Sequence, residues 1–283
     1  MKRLIQNLHY PVILFVCIFF CSSCTLISSK ISKTSKRLRP PSETDATVSI
    51  LKHQNHKLTT FKGLGRIVFL GSGGKDVSTR IAWVASVPDR LRITLSDITG
   101  QPIISAASDG HWLYLISYAK REFFKKRATS SNMKQFFSVS IKSQDVVNIL
   151  AGRVPFGKYD SAVLIEDGSL NRLAGEGSDT AGTSSPVEND HGNTLILKDK
   201  WGNVIEKVYL NPINDVQKLE KFDSTGDLLY RVEFHGIRQI SGYRIPFRLK
   251  VSNAEGKGFK LDLDRYWADA RVSPSIFTLA PPK

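Results

Sequence analysis

Arg90-Leu91-Arg92-Ile93-Thr94-Leu95 alternates polar and apolar side chains without a break, so Leu91, Ile93 and Leu95 share one face of an extended strand. The same period of two runs through Tyr243-Arg244-Ile245-Pro246-Phe247-Arg248-Leu249-Lys250-Val251, with Arg244, Arg248 and Lys250 facing out. Pro246 has no N–H for a ladder, so this strand is expected at a sheet edge or at a bulge. Phe259, Leu261 and Leu263 oppose Lys260, Asp262 and Asp264 in a further strand. Working outward, about eleven strand candidates emerge: 64–70, 79–87, 90–96, 103–108, 112–118, 121–127, 160–166, 194–199, 204–210, 227–236 and a broken final set over 243–265. Turn signals such as Ser108-Asp109-Gly110 and Ser224-Thr225-Gly226-Asp227 separate them. Helical spacing occurs twice. Val48, Leu51 and Leu58 fall near one face after Ser42 or Thr44 as a cap, and Ser143 precedes Val146, Val147, Ile149 and Leu150 before Gly152 stops the turn. The pattern predicts an α+β arrangement, one predominantly antiparallel sheet with two or three helices.

The N-terminus reads differently. Lys2 and Arg3 lead into an apolar run from Val12 to Phe20 and then Cys21-Ser22-Ser23-Cys24, the layout of a secretory signal over 1–23. The apolar run is well short of the ~20 residues that cross a bilayer as a helix. Cleavage before Cys24 leaves a cysteine at the new N-terminus whose thiol can take a lipid, as in the lipobox of bacterial lipoproteins. An ordinary secretory signal with incidental cysteines is the alternative. Cys17, Cys21 and Cys24 are the only cysteines, so such a mature chain has no disulfide, no cysteine metal site and no cysteine nucleophile. Residues 24–43 read as a lipidated start with a basic, disordered tether rich in Ser, Lys and Pro, and residues 25–43 span at most ~65 Å at ~3.4 Å per residue. The folded domain is expected over 44–283, with a polar, Gly- and Ser-rich mobile loop at 167–193.

The formal net charge is +14, and residues 1–40 supply seven cations with no Asp or Glu. A basic segment beside a lipid anchor lies against anionic headgroups, each charge worth ~1 kcal/mol near the surface. Export and the lack of any nucleic-acid motif argue against nucleic acid as the partner. No Gly-x-Ser-x-Gly elbow or phosphate-cradling loop is present, and His53 and His56 lack a third convergent ligand. No catalytic residues, metal site or cofactor are therefore assigned, and the chain is not expected to be an enzyme.

Residues 112–118 are apolar on both faces: Trp112, Tyr114, Ile116 and Tyr118 on one, Leu113 and Leu115 on the other. Phe123-Phe124 and Phe136-Phe137 add aromatic bulk nearby. Two readings fit. One is a filled core; the other is a cavity for an acyl chain lined by Trp83, Ile93, Leu95, Trp112, Tyr114, Ile116 and Phe123. A second apolar feature is the turn Asp97-Ile98-Thr99-Gly100-Gln101-Pro102-Ile103, where Ile98 and Ile103 flank what should be a polar tip. They either dip into a bilayer or a hydrophobic partner, or fold inward against the sheet.

Several segments, in order, resemble the LolA/LolB-like lipoprotein-sorting family: Gly63-Leu64-Gly65-Arg66-Ile67, Arg80-Ile81-Ala82-Trp83, Pro88-Asp89-Arg90-Leu91-Arg92-Ile93, Thr99-Gly100-Gln101-Pro102 and Trp112-Leu113-Tyr114-Leu115. Leu150-Ala151-Gly152-Arg153-Val154-Pro155 is similar to a Leu-x-Gly-x-x-Pro segment of the outer-membrane receptor branch, LolB, and Phe277-Thr278-Leu279-Ala280-Pro281-Pro282 resembles LolA-like endings. The resemblance implies an incomplete antiparallel β-barrel of about eleven strands, covered on one side by helices around an apolar cavity. It further implies an outer-membrane lipoprotein facing the periplasm, a monomer that accepts lipoproteins from a LolA-like carrier and inserts them through a hairpin aliphatic residue, here Ile98. Thr25 suits outer-membrane sorting. A structural or interaction lipoprotein with a packed core is the alternative from another class.

Overall fold

The computed structural model describes residues 37–71, 76–166 and 192–281. The leader, Cys24, most of the tether and nearly all of the 167–193 loop lie outside the described residues. Residues 37–43, placed in the tether by composition, are ordered: Arg37–Leu38 form a strand and the first helix starts at Pro41.

Among the described residues fourteen strands make one open antiparallel sheet with three α-helices. A first meander runs β2 (Thr60–Leu70), β3 (Val77–Ser86), β4 (Arg90–Ser96), β5 (Pro102–Ser108), β6 (Trp112–Ser117) and β7 (Glu122–Arg127). A second runs β8 (Ser161–Glu166), β9 (Asn193–Lys198), β10 (Val204–Leu210), β11 (Val216–Phe222), β12 (Leu228–Ile240), β13 (Tyr243–Ser252) and β14 (Gly258–Ala268). The β14–β2 ladder joins the two, so β7 ends one edge, and β1 (Arg37–Leu38) pairs with β8 at the other. This is the expected α+β class and incomplete barrel, with fourteen strands instead of eleven. The extra ones are β1, β11, whose burial does not alternate cleanly, and the division of 243–265 into two.

Connectivity explains why helices occupy one face. After β7 the chain must travel from one edge of the sheet to β8 near the other, and it does so through α2 (Ser130–Phe137) and α3 (Ser143–Leu150). Thr129 caps α2 through its hydroxyl, which accepts from Asn132 N–H. α3 begins after Lys142 with no side-chain cap, so Ser143 does not play the role its type suggested. α1 (Pro41–His53) likewise lacks a side-chain cap; Pro40 precedes it and Pro41 occupies its first turn, where a missing N–H costs nothing. Leu58 lies beyond α1 but is fully buried.

Val48 and Leu51 of α1, Met133 and Phe137 of α2, and Ile149 and Leu150 of α3 pack with sheet residues into one core. Trp83 crosses β2 at Gly63, its ladder partner, where any Cβ would overlap the indole. Pro246 sits in an interior strand, not at an edge. β14 pairs with β13 only from Arg248 onward, so the segment around Pro246 is locally unpaired on that side.

A buried polar seam ties α3 and the segment after it to the second meander. Tyr230 Oη donates to Asp145 at 2.8 Å, and Lys221 Nζ donates to the Pro155 carbonyl while lying 3.7 Å from Glu206 and 3.8 Å from Asp145. Glu206 is fully buried, and its Oε1 has no partner among the described residues. Burial pushes its carboxyl from 4.5 up to about 7, against the pull of Lys221. The folded chain therefore binds more protons than the unfolded chain between these values. Stability should fall as pH rises from about 4.5 to 7, by up to ~3 kcal/mol at ~1.4 kcal/mol per unit. Urea denaturation across this range should show that slope in the wild type and a flatter one in Glu206→Gln; equal slopes would contradict the assignment.

Candidate functional site

The ladder register sorts the apolar residues of β3–β7 into two sets. Trp83 faces Ile93, Ile93 faces Ala106, Ala106 faces Leu115 and Leu115 faces Phe124. Leu95 faces Ile104 in the same set, which is the helix-covered face. The neighbouring rows run Arg92–Ala107–Tyr114–Lys125 and Thr94–Ser105–Ile116–Phe123, with Trp112 opposite Arg127. These point to the opposite face because successive side chains alternate. So Trp83, Ile93 and Leu95 come together, and Trp112, Tyr114, Ile116 and Phe123 lie across the sheet from them.

That second set has its own work. Tyr114 and Ile116 are buried but lie outside the main core. Tyr114 Oη donates to Asp109 at 2.9 Å, and Trp112 carries Lys125 Nζ at 4.6 Å and Arg127 at 4.3 Å over its ring. The C-terminal 3₁₀ turn Pro274–Phe277 packs on β4, buries Phe277, and is held by Arg92 Nη1 donating to the Ile276 carbonyl at 3.3 Å. The aromatic run of β6 therefore faces away from the helices, where Tyr114 and Ile116 are buried.

On the helix-covered face the centre is filled. Between Ile67, Trp83, Ile93, Phe137, Ile149 and Leu261 only about 20 Å³ remains, enough for about one water-sized probe. A broad open hollow at the centre is therefore not what this fold contains. Toward the β7 edge the cover thins. A second void of about 10 Å³ touches Ile93, Ala106, Met133 and the pair Phe136–Phe137. Beyond it lies a groove of about 240 Å³, walled by Ala106, Leu113, Leu115, Phe124 and Phe136, with Lys126, Asn132 and Gln135 as its polar lining. For scale, an apolar cavity of about 150 Å³ holds a benzene molecule. Phe136 and Phe137 meet edge to face at 4.7 Å and separate groove from interior. Lys126 Nζ donates to Gln135 Oε1 at 3.1 Å, and Asn132 Nδ2 donates to the Arg127 carbonyl at 2.8 Å, linking α2 to β7. Sequence reasoning passed over Leu113 and Leu115 in favour of their larger aromatic neighbours, although the two-faced pattern of β6 contained both sets.

The hairpin between β4 and β5 places Ile98 outward, 89% exposed, and Ile103 at 37%. Its geometry is self-contained. Asp97 Oδ1 accepts from Thr99 N–H at 2.8 Å, Thr99 Oγ1 at 2.6 Å and Gln101 N–H at 2.9 Å, and Gly100 takes φ +91°. The Thr99 hydroxyl, chief among these, holds the Asp97 carboxyl below its usual range. The β9–β10 turn repeats the device: Asp199 Oδ1 accepts from Trp201 and Asn203 N–H, Gly202 has φ +86°, and Trp201 stands 74% exposed. Antiparallel alternation puts both tips at the same end of the sheet. The shared Asp-x-x-Gly-x spacing could have identified Trp201 alongside Ile98.

No family profile and no curated protein matches the chain. Solved structures do. A LolA superfamily protein from Nitrosomonas europaea is 12% identical with a TM-score of 0.50, covering 83% of this chain and 97% of that one. A DUF1329 family protein from Desulfovibrio piger is 12% identical with a TM-score of 0.56, covering 84% and 96%. A putative outer membrane lipoprotein-sorting protein domain from Vibrio parahaemolyticus is 11% identical over 83% and 96%; its TM-score of 0.48 is too low to carry weight. The likeness establishes a LolA-like fold and does not single out the LolB branch.

If Phe137 is the plug between groove and interior, its loss should cost more than that of half-buried Phe136. Chemical denaturation should give ~3–5 kcal/mol for Phe137→Ala, as for a fully buried phenylalanine, and clearly less for Phe136→Ala. Equal losses would mean the two rings do not have separate positions in the seal.

Proposed function

We propose that this chain is an envelope lipoprotein that takes an acyl chain into the groove between α2 and β5–β7 and takes part in receiving or inserting lipoproteins at the outer membrane. The observation that carries this reading is the groove itself: an apolar trough of about 240 Å³ on the helix-covered side of a LolA-like sheet. Each methylene buried there contributes ~0.8 kcal/mol, so a partly enclosed tail is held without any covalent chemistry. Transfer then runs downhill in affinity from a LolA-like carrier to the groove to the bilayer. Lipidation at Cys24 would anchor the chain in the outer membrane facing the periplasm, and Ile98, on a rigid hairpin tip, would touch the membrane.

The filled centre favours a second reading, an interaction lipoprotein whose sheet is a packed scaffold and whose surface binds another envelope protein. The two differ in what the protein carries. Native mass spectrometry of protein extracted from membranes should show a co-purifying lipid under the first reading and bare protein under the second. Leu115→Glu should weaken binding of a fluorescent fatty-acyl probe at least tenfold, about 1.4 kcal/mol. Ile98→Glu should leave probe binding intact but impair delivery of a lipoprotein into liposomes. Unchanged probe binding in Leu115→Glu would count against the groove, and unchanged delivery in Ile98→Glu against the hairpin.

A further inference from the structure

The segment that supplies β7 and α2 to the groove is strongly basic, although only Lys126 lines the groove itself. Residues 118–137, which form the β6–β7 turn, β7 and α2, contain Lys120, Arg121, Lys125, Lys126, Arg127 and Lys134 against the single acid Glu122. Among the described residues none of these six cations lies within 4 Å of a carboxylate oxygen, although nine Lys or Arg pairs of that kind occur elsewhere. Glu255, which feels the charge of Lys134, is itself paired with Lys257 at 2.6 Å.

Lys126 has the decisive position. It lines the groove, and its polar partner is a neutral amide, Gln135 Oε1. Among the described residues no carboxylate lines the groove. Lys125 and Arg127, next along the same strand, turn to the other face and rest on Trp112 of β6. An apolar trough whose one charged lining residue among the described residues is a cation matches a molecule with a greasy tail and a negative head. A neutral head would leave Lys126 with nothing it does not already have.

We propose that the groove selects a single-chain amphiphile with an anionic head, carboxylate or phosphate, whose tail lies along Leu113, Leu115 and Phe124 and whose head meets Lys126. This rests on the acyl-chain reading above and specifies its ligand class. The selectivity is electrostatic at a partly exposed site, so it should be moderate and should shrink as salt shortens the Debye length from ~10 Å at 0.1 M to ~3 Å at 1 M.

Displacement of a fluorescent acyl probe from the full chain tests the proposal with four ligands of equal tail length: palmitate, palmitoyl lysophosphatidylglycerol, palmitoyl lysophosphatidylcholine and neutral monopalmitin. At low salt at least one anionic ligand should displace the probe at about one-tenth the concentration that monopalmitin needs. Which of the two does so reveals whether a carboxylate or a phosphate is preferred. Lys126→Gln should cut that preference at least threefold without changing the monopalmitin value, Lys126→Arg should retain it, and 1 M salt should reduce it in the wild type. If monopalmitin competes as well as both anions, or if Lys126→Gln leaves the ratio unchanged, the charge selection is wrong while the groove stands. If no ligand displaces the probe and Leu115→Glu binds it normally, the acyl-chain reading itself fails.

Discussion

The structure is governed by how much of one sheet face a single crossover can cover. Two meanders joined at the β14–β2 ladder leave the chain to pass from β7 at one edge to β8 near the other, and among the described residues the apolar cover for the face between comes from that passage and from α1. α2 and α3 have eight residues each, so each is only ~12 Å long, whereas fourteen strands at ~4.8 Å spacing make a sheet ~60 Å across before it curls. The cover is thickest over the centre, where Phe137, Ile149 and Leu150 complete a dense core. It runs out over β5–β7, where a short α2 inserts Met133, Phe136 and Phe137 and leaves Leu113, Leu115 and Phe124 beside an open groove.

This arrangement separates two properties, a stabilising core and an apolar surface open to a ligand, that the family resemblance placed together in one hollow. The centre provides stability and has room for little more than a water molecule. The edge provides apolar surface that nothing in the described chain covers completely. The proposed ligand tail would replace solvent contact there without displacing core side chains, and the Phe136–Phe137 pair marks the boundary between the two regions. On the opposite face the C-terminal turn packs on β4 through Arg92, and cations lie over Trp112.

Much of the fold was legible because the strict alternation of residues 90–95 and 243–251 leaves little choice but strand. β11 escaped because Glu220 is buried in a Tyr209–Arg231 hydrogen-bond network, so polarity there does not report exposure. The site was only half legible. Alternation shows that β6 has two apolar faces but not which one meets the helices. That depends on ladder register with β5, and a one-residue change of face moves Tyr114 out and Leu115 in. Residue size was a misleading guide, since the large aromatics of β6 turn away from the helices while the leucines line the groove. Ile98 was recognisable from its position in the Asp97 turn, and its outward direction follows from hydrogen bonds that need nothing from its side chain.

The central claim is that an acyl chain lies along Leu113, Leu115 and Phe124, outside the Phe136–Phe137 boundary. A crystal structure of the protein with a fatty acid brominated at the chain terminus addresses this directly through anomalous scattering. The account predicts a bromine peak within the groove between β6 and α2. Bromine located only on the opposite face of the sheet, or at the hairpin tips with the groove empty, would contradict it.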